Sequence, residues 1–366
     1  MGDEQLAAFP KPISSMKTSI LVVSLSLLAL QVEVSAGESQ QPGATGRSVR
    51  VAAVQMECEL GEIGPNLKRA ERLVKEAFGK GANWVVLPEF FTSAMAVNSK
   101  MLDAARPLNG EPLVLLKRLA KEHHGVVGGS FLAIRGGHTY NTFVLAFPDG
   151  ATYFHDKDYP TFLENNYYIG GADDGVFQTK QANIGAALCW EFVRAGTARR
   201  LKDKVDVVLG GACWWAPSDD VKTPAADVDR KNNLDLIKET PVKFAKMLGV
   251  PVVFAQQAGT FRGFAETDEK NPYNSHFIGE TVIVDGHGKI LARRAYEEGE
   301  GIIIADLTLG KVPGGTDEIP DRFWIPEMSN LNGGTKQGWE QTLIPGRKYY
   351  DSVTRPRRLG RAEAQQ

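Results

Sequence analysis

Val49-Arg50-Val51-Ala52-Ala53-Val54-Gln55 is the stretch whose reading decides the fold. Its apolar residues do not keep the strict alternation of a half-exposed strand, so it reads as a strand covered on both faces. Downstream, residues 66–78 set Leu67, Ala70, Leu73, Val74, Ala77 and Phe78 at helical spacing, with Lys, Arg and Glu between them and Gly79 near the stop. Residues 84–87 read as a second buried strand, 113–123 as a second amphipathic helix and 126–134 as a third strand. The order βαβαβ places the chain in the α/β class.

The pattern then changes. Gly136-Gly137 and Asp149-Gly150 flank the β-rich runs 139–146 and 151–154, which predicts an antiparallel meander and therefore a mixed sheet. A strand at 182–188, a helix near 195–201 and a strand at 205–209 resume the α/β rhythm. Residues 242–248 read as helix, 251–256 as strand, and 280–306 as two or three strands around Asp285-Gly286-His287-Gly288. From about Leu309 the chain is rich in Gly, Pro and Arg, and reads as an extension, 309–366, that wraps the body or a neighbouring subunit. A single domain spans 49–308, a length that suits one α/β domain.

The composition fits a folded protein: 43% hydrophobic, 23% charged, and a formal net charge of −2 in 366 residues. No global basic field exists to hold nucleic acid. The one dense basic cluster, Arg355-Pro356-Arg357-Arg358, is accounted for by a solvated tail. Six histidines and three cysteines show no zinc-ligand spacing, so neither a metal nor another cofactor is expected.

Residues 20–30 (ILVVSLSLLAL) are too short to cross roughly 30 Å of hydrocarbon but long enough for the core of a signal peptide. Lys17 supplies the positive flank if translation starts at Met16, and Val34-Ser35-Ala36 suits a signal peptidase. The expectation is a signal peptide over 1–36, a flexible polar leader over 37–48, and an exported mature protein with no stable membrane span; an uncleaved anchor is the alternative. Export leaves an odd number of thiols, Cys58, Cys189 and Cys213, in an oxidising compartment. Cys58 and Cys213 follow buried strands and read as structural; they are the pair whose oxidation would leave Cys189 free.

Three reactive groups stand where buried strands end, the place where open α/β sheets form ligand sites. Glu89 follows Val85-Val86-Leu87-Pro88, Lys157 follows the strand at 151–154, and Cys189 follows Asn183 to Leu188. Taken singly, each has a bland explanation as a solvated carboxylate, a surface lysine or an inert buried thiol. Together they supply a nucleophile, a base for its proton and a cation for the developing negative charge. The backbone N–H after Cys189 stands to join the lysine in an oxyanion hole.

Three ordered motifs make the set specific: Leu87-Pro88-Glu89-Phe90-Phe91, then Asp156-Lys157-Asp158-Tyr159-Pro160-Thr161-Phe162-Leu163-Glu164, and Leu188-Cys189-Trp190-Glu191. With the contexts at 49–56, 107–131, 250–259 and 279–294, the chain resembles the nitrilase superfamily, the carbon–nitrogen hydrolases. The resemblance implies a four-layer αββα sandwich with mixed sheets, a carbon–nitrogen hydrolase domain over 49–308, and a homodimer or larger homo-oligomer. It also implies Glu89 as general base, Lys157 as the cation beside the tetrahedral intermediate, Cys189 as nucleophile, and Glu164 as the second glutamate that positions substrate or water.

The reaction so implied is thioester hydrolysis of a small amide or carbamoyl compound, with ammonia or an amine released. Nitrile hydrolysis is the alternative, but Asn165 and Phe192 depart from the residues common in the nitrile-hydrolysing branch. Trp190, Tyr168, Trp214 and Trp215 are candidates for an aromatic substrate pocket, and equally for core packing. An acyl-transfer member of the superfamily and a non-catalytic binding protein on the same fold are the remaining readings.

Overall fold

The computed structural model describes residues 46–264, 270–314, 316–325 and 335–364. The expected signal peptide, and all of the leader before residue 46, lie outside the described residues.

The first half of the domain contains β1 (Ser48–Met56), α1 (Ile63–Gly79), β2 (Trp84–Val86), β3 (Arg106–Pro107), α2 (Glu111–Glu122), β4 (Val126–Arg135), β5 (His138–Ala146) and β6 (Thr152–Asp156). The second contains β7 (Val176–Gln178), β8 (Asn183–Leu188), α3 (Ala195–Leu201), β9 (Val207–Ala212), α4 (Pro224–Leu248), β10 (Val252–Gln257), β11 (Thr260–Phe264), β12 (Pro272–His276), β13 (Thr281–Val284), β14 (Ile290–Arg294) and β15 (Gly301–Thr308). Two more helices, α5 (Thr335–Tyr349) and α6 (Arg355–Ala364), follow.

Thirteen of these strands share one hydrogen-bonded network, ordered β6-β5-β4-β2-β1-β10-β9-β8-β7 with β15 on β1, β13 and β14 beyond β10, and β3 beside β4. The two halves meet at Gln55 opposite Gln256 and Met56 opposite Gln257. Strands β4-β2-β1 and β8-β9-β10 run parallel, while β4-β5-β6 is the antiparallel meander expected after Gly136-Gly137.

Side-chain alternation along β1 shows why the fold has four layers. Val49, Val51 and Ala53 join Ile184, Leu188, Leu209 and Val253 in a core between the two sheet halves. Ala52, Val54 and Met56 point the other way, onto Leu73 and Val74 of α1 and Leu116 and Leu119 of α2. On the opposite outer face, Val208 and Phe254 pack against Leu201 of α3 and Phe244 and Leu248 of α4. Period-2 alternation with both faces apolar is what a doubly covered sheet requires, and it produces the αββα sandwich.

Some expectations needed correction. The helix expected at 242–248 is the end of α4, whose buried residues begin only at Leu236. Its polar first half shows no apolar stripe, and Pro241 lies inside it. The Arg355–Arg358 cluster is not a solvated tail: Arg358 is buried, donating to the backbone carbonyls of Met101 at 2.6 Å, Leu102 at 3.0 Å and Tyr167. No described helix is long and apolar enough to cross a membrane.

Candidate active site

The three sequence motifs converge at the ends of β2, β6 and β8, and at each the backbone turns sharply. Phe90, Phe162 and Cys189, with φ of 53°, 49° and 49°, are three of the seven described non-glycine residues in the left-handed region. Such conformations cost about 1–3 kcal/mol each for residues with a Cβ, and they cluster where a fold must aim a side chain. Here they bend the chain out of the sheet directly beside Glu89, at the start of the turn that carries Glu164, and at Cys189 itself.

Lys157 is the centre of the site. It is fully buried, and its Nζ donates to Glu89 Oε1 at 3.0 Å and Glu164 Oε2 at 2.8 Å. Glu89 also accepts from Asn141 Nδ2 at 2.7 Å and from the Cys213 backbone N–H at 2.8 Å. Gln257 Nε2 donates to the Glu89 carbonyl at 3.0 Å, which fixes the turn. Glu164 accepts from the Thr161 N–H at 2.9 Å and from the Tyr168 hydroxyl.

Two carboxylates around one ammonium leave a net negative charge in a dry place. Burial pushes the Glu89 carboxyl up to about 7; Lys157 pulls it down and Glu164 pushes it further up. Burial also works against the Lys157 charge, yet Glu164 and Glu89 outweigh it and hold the ammonium protonated. The Cys189 thiol lies well above its ordinary value through burial, then Glu89 and Glu164, while Lys157 and a hydrogen bond from the Trp190 backbone N–H favour the thiolate. The resting pair is therefore a thiol beside a carboxyl that titrates near neutrality, which suits proton transfer during attack.

Cys189 and Glu164 reach a cavity of about 490 Å³ whose walls include Phe162, Trp190, Trp214, Trp215 and Tyr273. Trp190, Trp214 and Trp215 thus lie on the wall, whereas Tyr168 sits beneath Glu164 as its hydroxyl donor. A larger cavity of about 680 Å³ beside Arg106, Glu111 and Arg118 holds none of the four reactive groups. Cys58, Cys189 and Cys213 are all buried free thiols. Among the described residues no three His, Cys, Asp or Glu side chains gather as a metal-binding group.

Sequence reading did not find the support behind Cys189. Cys189 begins a 3-10 turn, Cys189–Val193, and Glu191 Oε2 accepts from the Leu188 N–H at 2.8 Å just ahead of it. The fully buried His155 contacts Glu191 through Nε2 at 2.9 Å and Asp173 through Nδ1 at 2.5 Å. Arg200 adds an ion pair to Glu191 at 3.3 Å. Asn141 on β5, His155 on β6 and the Cys213 amide just past the end of β9 carry no motif of their own; strands from separate parts of the sheet bring them here.

Residues 50–313 match the family model for carbon-nitrogen hydrolase, and the chain belongs to that family; it is a carbon–nitrogen hydrolase. N-carbamoylputrescine amidase of Solanum lycopersicum is 30% identical over 279 residues, covering 73% of this chain and 88% of that protein. The bifunctional nitrilase/nitrile hydratase NIT4B of Lupinus angustifolius is 29% identical over 303 residues, 73% of this chain and 80% of that one. A carbon-nitrogen hydrolase from Helicobacter pylori G27 shares the fold with a TM-score of 0.60 at 18% identity, over 72% of this chain and 90% of that one.

Proposed function

We propose that the chain hydrolyses a small amide or carbamoyl compound through a thioester on Cys189. The observation that carries this reading is Lys157, wholly buried and bonded to both Glu89 and Glu164, the second of which lines the same cavity as Cys189. Glu89 takes the Cys189 proton as sulfur bonds to the carbonyl carbon. The oxyanion that forms faces the Lys157 ammonium and the Trp190 N–H. Glu89 then returns the proton to the nitrogen, the C–N bond breaks, and ammonia or an amine leaves. Water, deprotonated by Glu89, attacks the thioester; the C–S bond breaks and the thiol recovers its proton, leaving an acid or a carbamate. Glu164 keeps Lys157 charged through the cycle.

Similarity to an N-carbamoylputrescine amidase supports the amide and carbamoyl class. A nitrile reading has support from the lupin relative, but Asn165 and Phe192 weigh against it. Ammonia release from a panel of amides, carbamoyl compounds and nitriles tests the proposal: the best amide should exceed the best nitrile, and Cys189→Ala should remove all turnover. Release that survives in Cys189→Ala would sink the thioester route. Export after cleavage near Ala36 and assembly into homo-oligomers remain part of the proposal on the sequence; N-terminal sequencing of secreted protein and sedimentation decide them.

A further inference from the structure

Residues 335–364 lie beyond the stretch that matches the family, yet they touch the active site at two places. Trp339 of α5 stacks on Trp190, the residue after the nucleophile, with ring centres 5.7 Å apart and planes 9° from parallel. It also meets Phe162 edge-on at 5.9 Å and Trp324 at 5.2 Å, and its neighbour Gly338 lines the cavity. Trp339 itself is half-buried, so it stands at the margin of the pocket rather than in the core.

The second place is the turn Phe162–Asn166, which carries Glu164. Gly346 comes so near that a Cβ there would lie 2.5 Å from the Asn165 Cβ. Thr354 Oγ1 donates to the Asn166 carbonyl at 2.6 Å, and the buried Arg358 donates to the Tyr167 carbonyl. The Tyr350 hydroxyl accepts from the Thr139 N–H at 2.8 Å, and Arg355 Nε donates to the Gly137 carbonyl at 2.8 Å. Phe162, Asn165, Asn166 and Tyr167 are thus each held from the same segment, while Glu164 and Tyr168 between and after them face Lys157. Arg358 spends its charge on carbonyl oxygens; burial lowers its guanidinium to about 10.

We infer that this C-terminal segment completes the active site: Trp339 is a specificity-determining residue that closes the pocket over Trp190, and Thr354 and Arg358 are positioning residues that hold the Glu164 turn. The inference rests on Cys189 being the reactive thiol of the proposed hydrolase, and its test has a readout that does not need turnover. Alkylation of Cys189, located by peptide mass, is timed with iodoacetamide and with the bulkier N-phenyl iodoacetamide in full-length protein, Trp339→Ala and Trp339→Phe. Trp339→Ala should raise the rate with the bulky reagent relative to the small one by about three- to tenfold, and Trp339→Phe should return most of the difference, since stacking of this kind is worth that much.

In the ammonia assay, Trp339→Ala should change KM with kcat nearly constant. Arg358→Gln should do the reverse, lowering kcat on the order of tenfold with KM held, because a slightly misplaced catalytic group costs that much or more. Thr354→Val, which removes one hydrogen bond, is the milder variant should Arg358→Gln fold poorly, and should lower kcat in the same sense. An unchanged reagent ratio in folded Trp339→Ala overturns the pocket-closing role. Unchanged kcat in Thr354→Val and Arg358→Gln overturns the positioning role. If wild type releases no ammonia from any compound, the hydrolase reading falls while the reagent ratio still decides the wall.

Discussion

Glu89 and Glu191 are both sealed from solvent, and their surroundings drive the two carboxyls in opposite directions. Burial lifts Glu89 to about 7, since its one cation, Lys157, is shared with Glu164. Burial acts on Glu191 in the same sense, but His155, Arg200 and Arg194 outweigh it and hold that carboxyl well below the usual range. A carboxylate short of positive charge exchanges protons near pH 7 and can serve as a base. One surrounded by cations stays ionised and serves as a strut. Glu89 belongs to the cluster around Lys157, whereas Glu191 braces the strained turn that carries Cys189.

The sharpest way to break this comparison is to remove the charge from each glutamate in turn. Glu89→Gln should lower kcat by about 10²–10⁴, the usual value of a general base, with a smaller loss of stability than Glu191→Gln, because Lys157 keeps Glu164 as its partner. Glu191→Gln should instead cost about 3–5 kcal/mol in urea unfolding, since it leaves the buried His155 and Arg194, with the partly exposed Arg200, around a neutral amide. Equal stability losses in the two variants would show that both glutamates are struts.

A third measurement sharpens the strut side. Burial disfavours the His155 cation, yet Glu191 and Asp173 raise its imidazole to about 9. A raised folded value means that the stabilisation is complete below the unfolded value near 6.5 and disappears as pH climbs through 9. The stability gap between wild type and His155→Gln should therefore close by up to ~3 kcal/mol between pH 6.5 and 9.5, the worth of such a shift. A gap that is flat with pH would mean that His155 is neutral and merely hydrogen-bonded.

The difference between the two clusters also shows where sequence was informative. Strands β1, β2, β4, β8 and β10 were legible because a doubly covered strand must be apolar on both faces, and Glu89, Lys157, Glu164 and Cys189 because each sits in a motif at a strand end. Glu191 was legible as part of Cys-Trp-Glu, but its role was not, since His155 and Arg200 approach from β6 and α3. The hairpin β11–β12 and helices α5 and α6 escaped for a different reason: their packing surface is another part of this chain rather than a periodic stripe. Trp339 and Arg358 read as features of a polar extension because nothing local reveals that Trp190 and the Tyr167 carbonyl lie beneath them.

The smallest expected effect concerns the base itself. If the Glu89 carboxylate takes the thiol proton, the productive resting form has Glu89 ionised and Cys189 protonated. Cys189 lies well above its ordinary value, so alkaline loss of the thiol does not intrude near neutrality. With the carboxyl at about 7, the productive fraction falls as pH drops below that value. The kcat/KM profile should then rise about tenfold per pH unit on the acid side and level off above roughly pH 7, reporting the free enzyme. Because Lys157 and Glu164 share the site, the midpoint belongs to the group as a whole. Glu164→Gln removes one negative neighbour, leaves Lys157 to pull on Glu89 alone, and should move the acid limb to lower pH; a limb that moves to higher pH, or stays in place, would show that Glu89 is not the group being titrated.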